Sequence, residues 1–296
     1  MSILTLLFPD FALILIGFLL KRRTNWGIEF WVGIDRIVYF VLFPALLFYS
    51  TSRAPFDFNA TGKLLQIGII TCSSGIALGW LARPLFKSGP MIFESGVQTA
   101  FRFNSYIALA VASRLAGEQG TSLMALIIGF AVPLCNMAAV HALAHKNGGV
   151  LKELARNPLL IATAAGTLCN VLGIAVPEFI GATLLRLGNA SIALGLIGVG
   201  AGLQLSALHA SKGIAAYFLA VKLLALPLIA FGLGRWFGLP TLQLQIAVMF
   251  SALPTASSAY VLANRMGGNG PFVALIISAG TLLSVVTLPF WLALSR

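Results

Sequence analysis

Charge is scarce in this chain: Asp, Glu, Lys and Arg make up 9% of its 296 residues. A soluble domain of this length carries about 25% charged residues, so a water-facing globule is excluded. Acids are the scarcer sign, 8 against 19 Lys and Arg. Histidines number 3 and cysteines 3. Cys72, Cys135 and Cys169 each lie inside an apolar run, with no CxxC or Cys/His spacing. Small buried packing residues are their expected role, with neither disulfide nor metal site implied. Catalysis would want a converging acid and base, or a nucleophile with its base. The acids sit mainly at the ends of apolar runs, and no Ser/His or HExxH pattern occurs. The chain is therefore read as no enzyme and as needing no cofactor. Its basic residues are scattered rather than gathered into a domain, which argues against nucleic-acid binding.

What is abundant is apolar sequence. The chain is 59% hydrophobic with a mean hydropathy of +0.96, and apolar runs of roughly 20 residues recur. Only helices or a closed barrel satisfy every backbone group in lipid. The runs are solidly apolar rather than alternating, so the expected fold is an all-α integral membrane protein. Ten spans are read at 3–20, 33–51, 64–82, 91–115, 121–144, 158–176, 184–207, 213–236, 242–265 and 271–294. The first has no positive segment before it and "KRR", Lys21 to Arg23, after it. That pattern reads as a first span with its N-terminus outside rather than a cleaved signal. Odd-numbered loops hold more Lys and Arg than even-numbered ones, which puts both termini outside the cell (inner) membrane. The net charge of +11 reads as loop charge under the same rule, and a basic funnel for an anionic solute is compatible with it.

The longest polar connection, His145 to Pro158, divides the chain into a first half, 1–144, a cytoplasmic linker, 145–157, and a second half, 158–296. The halves resemble each other. "ASRLAG" at 112–117 followed by "ALII" at 125–128 recurs as "ANRMGG" at 263–268 followed by "ALII" at 274–277. Five spans per half is an odd number, so the halves enter the membrane from opposite sides. Two inverted five-helix repeats are a recurring plan of secondary transporters.

Two spans are interrupted. The fourth reads "FRFNSYIALA", Phe101 to Ala110, and the ninth "ALPTASSAYV", Ala252 to Val261. Each carries cap-type residues near mid-span: Asn104 and Ser105 in one, Thr255, Ser257 and Ser258 after Pro254 in the other. Proline and cap residues stop helices and restart them. A restarted helix offers backbone N–H groups and a partial positive charge. Two such ends facing each other would suit carboxylates. Arg102, two residues before Asn104, could hold a substrate carboxylate with its fork. It could equally pair with Glu94, Asp10 or Asp35. Tyr106 follows Ser105 in the same stretch, and Asn136, after Pro133, could line the cavity from the fifth span. Lys222 is read as a structural or gating partner. Asn170 and Gln204 are read as interhelical hydrogen-bonders, and Gly-rich "GLIGVGAGL", 195–203, as a close-packing surface.

Several of these stretches resemble the auxin efflux carrier family, which contains plant PIN carriers and bacterial malonate-type permeases. "FPALLF" at 43–48 is similar to its second-span signature, and "RNP" at 156–158 to the start of its second half. "ALPTASSAYVLANRMGG" at 252–268 resembles its ninth-span signature, and "FRFNSYIALA" the fourth-span version of bacterial members. The resemblance implies ten helices in two inverted repeats, with spans four and nine crossing at the substrate site. Asn104 would be the fourth-span crossover residue, and Pro254 with Thr255 the ninth-span crossover. One departure is Ala110, where many members carry a proline, so the first break would rest on Asn104 and Ser105.

The expected activity is alternating-access carriage of a small organic anion, a mono- or dicarboxylate such as malonate or malate. The expected site comprises Arg102, Asn104, Ser105, Tyr106, Asn136, Pro254, Thr255, Ser257 and Ser258. Expected partners are the carboxylate and the bilayer, with proton coupling and a homodimer both compatible. A sodium-coupled symporter of the bile-acid type and a non-transporting anion sensor are the alternatives.

Overall fold

The computed structural model describes residues 3–53, 58–86, 88–143, 158–203, 212–256 and 258–296. The expected linker 145–157, Gln204 and Ser257 lie outside them. All regular structure among the described residues is helical. Among the described residues, six segments are long and apolar enough to cross a bilayer: Ile28–Tyr49, Thr61–Leu85, Pro90–Leu143, Glu178–Ala201, Lys212–Trp236 and Gly270–Leu294. The chain divides into two packing units, and each draws on both halves of the sequence.

Unit 1 comprises Met1–Thr61, Tyr106–Phe130 and Leu151–Gly202. It contains α1 (Ile3–Arg23), α2 (Ile28–Ile37), a π turn at Val38–Leu42, and α3 (Phe43–Ser52). It also takes the first part of α6 (Ser105–Leu143), then α7 (Pro158–Val171) and α8 (Glu178–Ala201). Glycine sets its geometry. Apolar association is weak as a driving force between helices in lipid, so close backbone approach has to supply the contact. α1 lies along α8. A Cβ on Gly17 would overlap the Ile197 carbonyl, and one on Gly200 the Ile14 carbonyl. Further along α8, Gly181, Gly188 and Gly195 recur every seven residues on one face and receive Arg53, Leu46 and the Tyr106 ring. The glycine-rich run at 195–203 is thus a packing surface, as its composition suggests. α6 is not one rod: Ala116 and Gly117 leave helical geometry, and Gly117 takes φ 56 and ψ −136, a region that only glycine enters without strain.

Unit 2 comprises Gly62–Ser105, Ala131–Val150 and Leu203–Arg296. Most of α4 (Phe58–Leu85) belongs to it, followed by α5 (Pro90–Gly96) and a 3₁₀ turn at Val97–Ala100. The end of α6 precedes α9 (Lys212–Ala220), a π turn at Val221–Ala225 and α10 (Leu226–Trp236). α11 (Thr241–Ala252), α12 (Ser258–Arg265) and α13 (Gly270–Leu294) complete it. α11, α12 and α5 all pack on α13. Gly96 lets the α5 backbone come up to the rings of Phe218 and Phe272.

Both π turns precede a proline, Pro44 or Pro227. Proline has no N–H, so the carbonyl four residues earlier loses its helical donor. For Pro227 that carbonyl belongs to Leu223, and the Trp291 indole N–H donates to it at 2.9 Å. In each widened turn the amide just before the proline reaches back five residues: the Leu226 N–H finds the Val221 carbonyl, and the Phe43 N–H the Val38 carbonyl. Every polar backbone group deep in lipid needs such a partner.

Candidate functional site

Unit 2 contains two helix interruptions, and they meet. α11 stops at Ala252 because Leu253, ahead of Pro254, is driven into extended geometry, φ −61 and ψ 142. The chain then runs non-helically through Ala256 and resumes as helix at Ser258. After α5 and its 3₁₀ turn, residues 101–104 are likewise non-helical, and α6 begins at Ser105. No proline lies in this second interruption. The Asn104 N–H donates to the Pro254 carbonyl at 2.8 Å. In return, the Thr255 hydroxyl donates to the Thr99 carbonyl at 2.8 Å. Each segment therefore supplies hydrogen bonds that the other's broken helix has lost. The fourth-span break does not rest on Asn104 and Ser105 alone; Pro254 and Thr255 hold it from the opposite segment.

Arg102 sits in the break and is 9% exposed. Its Nη1 donates to Gln98 Oε1 at 3.0 Å. Its Nη2 donates to Asn136 Oδ1 at 3.1 Å and to Ser258 Oγ at 3.0 Å. The fork thus ties three stretches together: the 3₁₀ turn, the late part of α6 and the first residue of α12. Gln98 extends the network. Its Nε2 donates to the carbonyls of Ser95, at 3.1 Å, and Ala259, at 3.3 Å. Ser95 Oγ accepts from the Asn269 N–H at 2.7 Å, and Asn269 caps α13 by accepting from the Phe272 N–H at 3.0 Å. Phe103 and Phe250 wall the network with an edge-on contact, centroids 4.6 Å apart.

Of the residues expected from sequence, Arg102, Asn104, Asn136, Pro254, Thr255 and Ser258 come together in this one network. Ser105 opens α6 beside it, and Ser257 lies outside the described residues. Tyr106 belongs to unit 1, where its ring contacts Phe43 edge-on and fills the room left by Gly195. Sequence reasoning missed Ser95, Gln98 and Thr99. The spacing of Gln98 from Arg102, one helical turn, was a usable signal for the first of these contacts.

Lys222 is buried at 3% exposure, and its Nζ donates to the Ser251 carbonyl at 3.1 Å. Ser251 is in the last turn of α11, so an ammonium rests against the negative end of that helix. The structural role read for Lys222 is this one. The Cys135 thiol donates to the Phe101 carbonyl at 3.5 Å, with the Cys72 sulfur 3.9 Å from it. Within unit 2, helix C-terminal carbonyls near the breaks are thus met by the protein's own donors, Lys222 and Thr255. Ser258, the first residue of the restarting helix α12, holds the Arg102 guanidinium, and α6 starts three residues after Arg102. Chemically this combination favours negative charge.

Thr255 tests the mutual support. Replacing it with Val keeps the shape but leaves the buried Thr99 carbonyl without its donor, at a cost of about 1–3 kcal/mol. Thr255→Val is expected to lower the melting temperature of the purified protein by several degrees, and Thr255→Ser to restore most of the loss. Equal melting of Thr255→Val and the unaltered protein would mean that this bond contributes nothing.

Long apolar helices with interlocked breaks define a multi-pass membrane transport protein. Residues 142–292 match the family model described as "Membrane transport protein", and the chain belongs to that family, the auxin efflux carrier family. An "Uncharacterized transporter" of Methanothermobacter thermautotrophicus is 28% identical over 290 residues, covering 95% of this chain and 94% of the relative. A protein of Rhizobium meliloti named "Putative malonate transporter" is 26% identical over 307 residues, covering 98% and 95%. The Escherichia coli K12 "Uncharacterized transporter YfdV" is 22% identical over 308 residues, covering 98% and 96%.

Proposed function

We propose that the protein is a secondary transporter of a small organic anion, a mono- or dicarboxylate of the malonate or malate type, working by alternating access. The observation that carries the reading is the pair of interlocked breaks with Arg102 between them. In this reading Arg102, Asn104, Ser105, Asn136, Pro254, Thr255, Ser257 and Ser258 form or flank the anion site. Ten helices cross the membrane as two inverted repeats, 1–144 and 158–296, joined by the cytoplasmic linker 145–157. Both termini face outside the cell (inner) membrane. The malonate name carried by the Rhizobium relative supports the carboxylate class.

Lys222 bears on coupling. A sodium site would use helix C-terminal carbonyls and carboxylates, and at the end of α11 an ammonium already takes the Ser251 carbonyl. A proton, or the substrate gradient with the membrane potential, is the expected driving force. Proteoliposomes holding the purified protein should accumulate labelled malonate or malate equally with and without a sodium gradient. Accumulation only with sodium would instead favour the bile-acid type of symport. Saturable carboxylate binding with no flux would identify a sensor, and neither binding nor flux across the mono- and dicarboxylates would overturn the anion reading.

A further inference from the structure

A cavity of about 380 Å³ is lined entirely by residues of unit 1. Its volume lies in the range of small-molecule sites, about 300–1,000 Å³. Leu46, Leu185 and Ile192 are among its lining residues, with the polar Asn189 between the last two, and Tyr49, Arg53 and Glu118 also line it. Arg53 and Glu118 each contact Tyr49. The Arg53 guanidinium carbon lies 4.8 Å from the centroid of the Tyr49 ring. The Tyr49 hydroxyl donates to Glu118 Oε1 at 3.2 Å. Gly181 makes room for the guanidinium, since a Cβ there would overlap it. Glu118 owes its place to the glycine-only backbone at Gly117, which also lines the cavity. Among the described residues no ion pair joins Arg53 to Glu118. One charge of each sign therefore faces the same cavity, with a phenol ring between them.

From this arrangement we infer that the cavity binds a small ω-amino acid, a chain of about four or five methylenes with a carboxylate at one end and an ammonium at the other. The carboxylate pairs with Arg53 in bidentate fashion. The ammonium reaches Glu118, and the methylenes lie along Leu46, Leu185 and Ile192. Charge position excludes the near analogues. A dicarboxylate would bring a second anion against Glu118, a like-charge contact that selects against it. An α-amino acid has both charges on one carbon and brings no methylene chain to lie along Leu46, Leu185 and Ile192. The inference does not rest on the carrier reading, since none of these residues belongs to the crossing segments.

Isothermal titration of the full chain in detergent tests it directly. With 6-aminohexanoate and 5-aminopentanoate, saturable one-site binding is expected. Hexanoate, hexylamine, glutarate and alanine should each bind at least about tenfold less tightly, because each lacks one correctly placed charge. Arg53→Gln and Glu118→Gln should each weaken 6-aminohexanoate by at least about tenfold. Ile192→Trp, which enlarges a lining side chain, should abolish binding. Melting temperatures of the variants identify any that fail to fold, and the ligand series on the unaltered chain decides the matter without them. Absence of 6-aminohexanoate binding, equal binding of hexanoate, or tighter binding of glutarate would overturn the inference. So would unchanged affinity in folded Arg53→Gln and Glu118→Gln.

Discussion

Arg102→Gln is expected to reduce carboxylate uptake in proteoliposomes by roughly 100-fold or more. A single hydrogen bond to a charged group contributes about 1.5–3 kcal/mol, and 1.4 kcal/mol is a factor of ten. Arg102 contributes to the anion site in two ways under the proposed function. Its charge attracts the carboxylate, and its fork holds Gln98, Asn136 and Ser258 in place. Glutamine supplies neither the charge nor enough donors. Arg102→Lys separates the two contributions, because an ammonium retains the charge but not the planar fork. Its uptake is expected to remain at least about tenfold below that of the unaltered protein. Melting temperature must be measured beside uptake, since removing the guanidinium also strands buried acceptors. Uptake at the original rate in a folded Arg102→Gln protein would remove Arg102 from the site.

The second large effect lies in unit 1. Gly200→Val is expected to prevent recovery of monodisperse protein from detergent, and Gly17→Val to do the same. At each position the atom in the way is a backbone carbonyl of the facing helix, Ile14 or Ile197. A backbone cannot rotate aside as a side chain can, so α1 and α8 would have to separate. Overpacking in a well-packed interior typically costs about 1–3 kcal/mol, and losing a whole helix contact exceeds that. Gly232→Ala is the control. It lies within α10, and nothing is within 4 Å of where its Cβ would stand. That change should be neutral or slightly stabilising, since alanine favours helix over glycine by up to about 1 kcal/mol. If Gly200→Val and Gly232→Ala elute and melt alike, the α1–α8 contact is not as close as the structure has it.

Much of the helical pattern was legible because lipid leaves few choices. Backbone groups in hydrocarbon must bond within the segment, so solid apolar runs near bilayer length read directly as helices. The interruptions were also legible. Pro254 removes a donor and forces Leu253 out of helical geometry, and the small hydroxyl residues after it mark a restart. The fourth-span break was harder to read, since "FRFN" contains no proline. Its local signals were a mid-span charge and the cap pair Asn104–Ser105, and those did not reveal what holds it open. That stabilisation comes from far along the chain, the Pro254 carbonyl 150 positions from Asn104 and the Thr255 hydroxyl 156 from Thr99.

Gln98 shows the same limit from another side. Its one-turn spacing from Arg102 hints at that single contact, but nothing local shows where the other end of the amide goes. Its importance arises from where its two ends fall, on Arg102 and on the Ala259 carbonyl. Lys222 could be recognised as costly in the membrane, but its acceptor on α11 could not be.

Taken alone, the order of amino acids determined that this chain is a helical membrane protein and that two of its helices must stop partway. Those properties depend on hydropathy and on the chemistry of proline and of capping residues, all of which act over a few positions. Tertiary structure decided which stretches complete one another: the breaks in unit 2, the glycine contacts of α1 with α8, and the wall of the unit 1 cavity. Such pairings depend on distances between residues far apart along the chain, and local chemistry sets no such distances until the helices have packed.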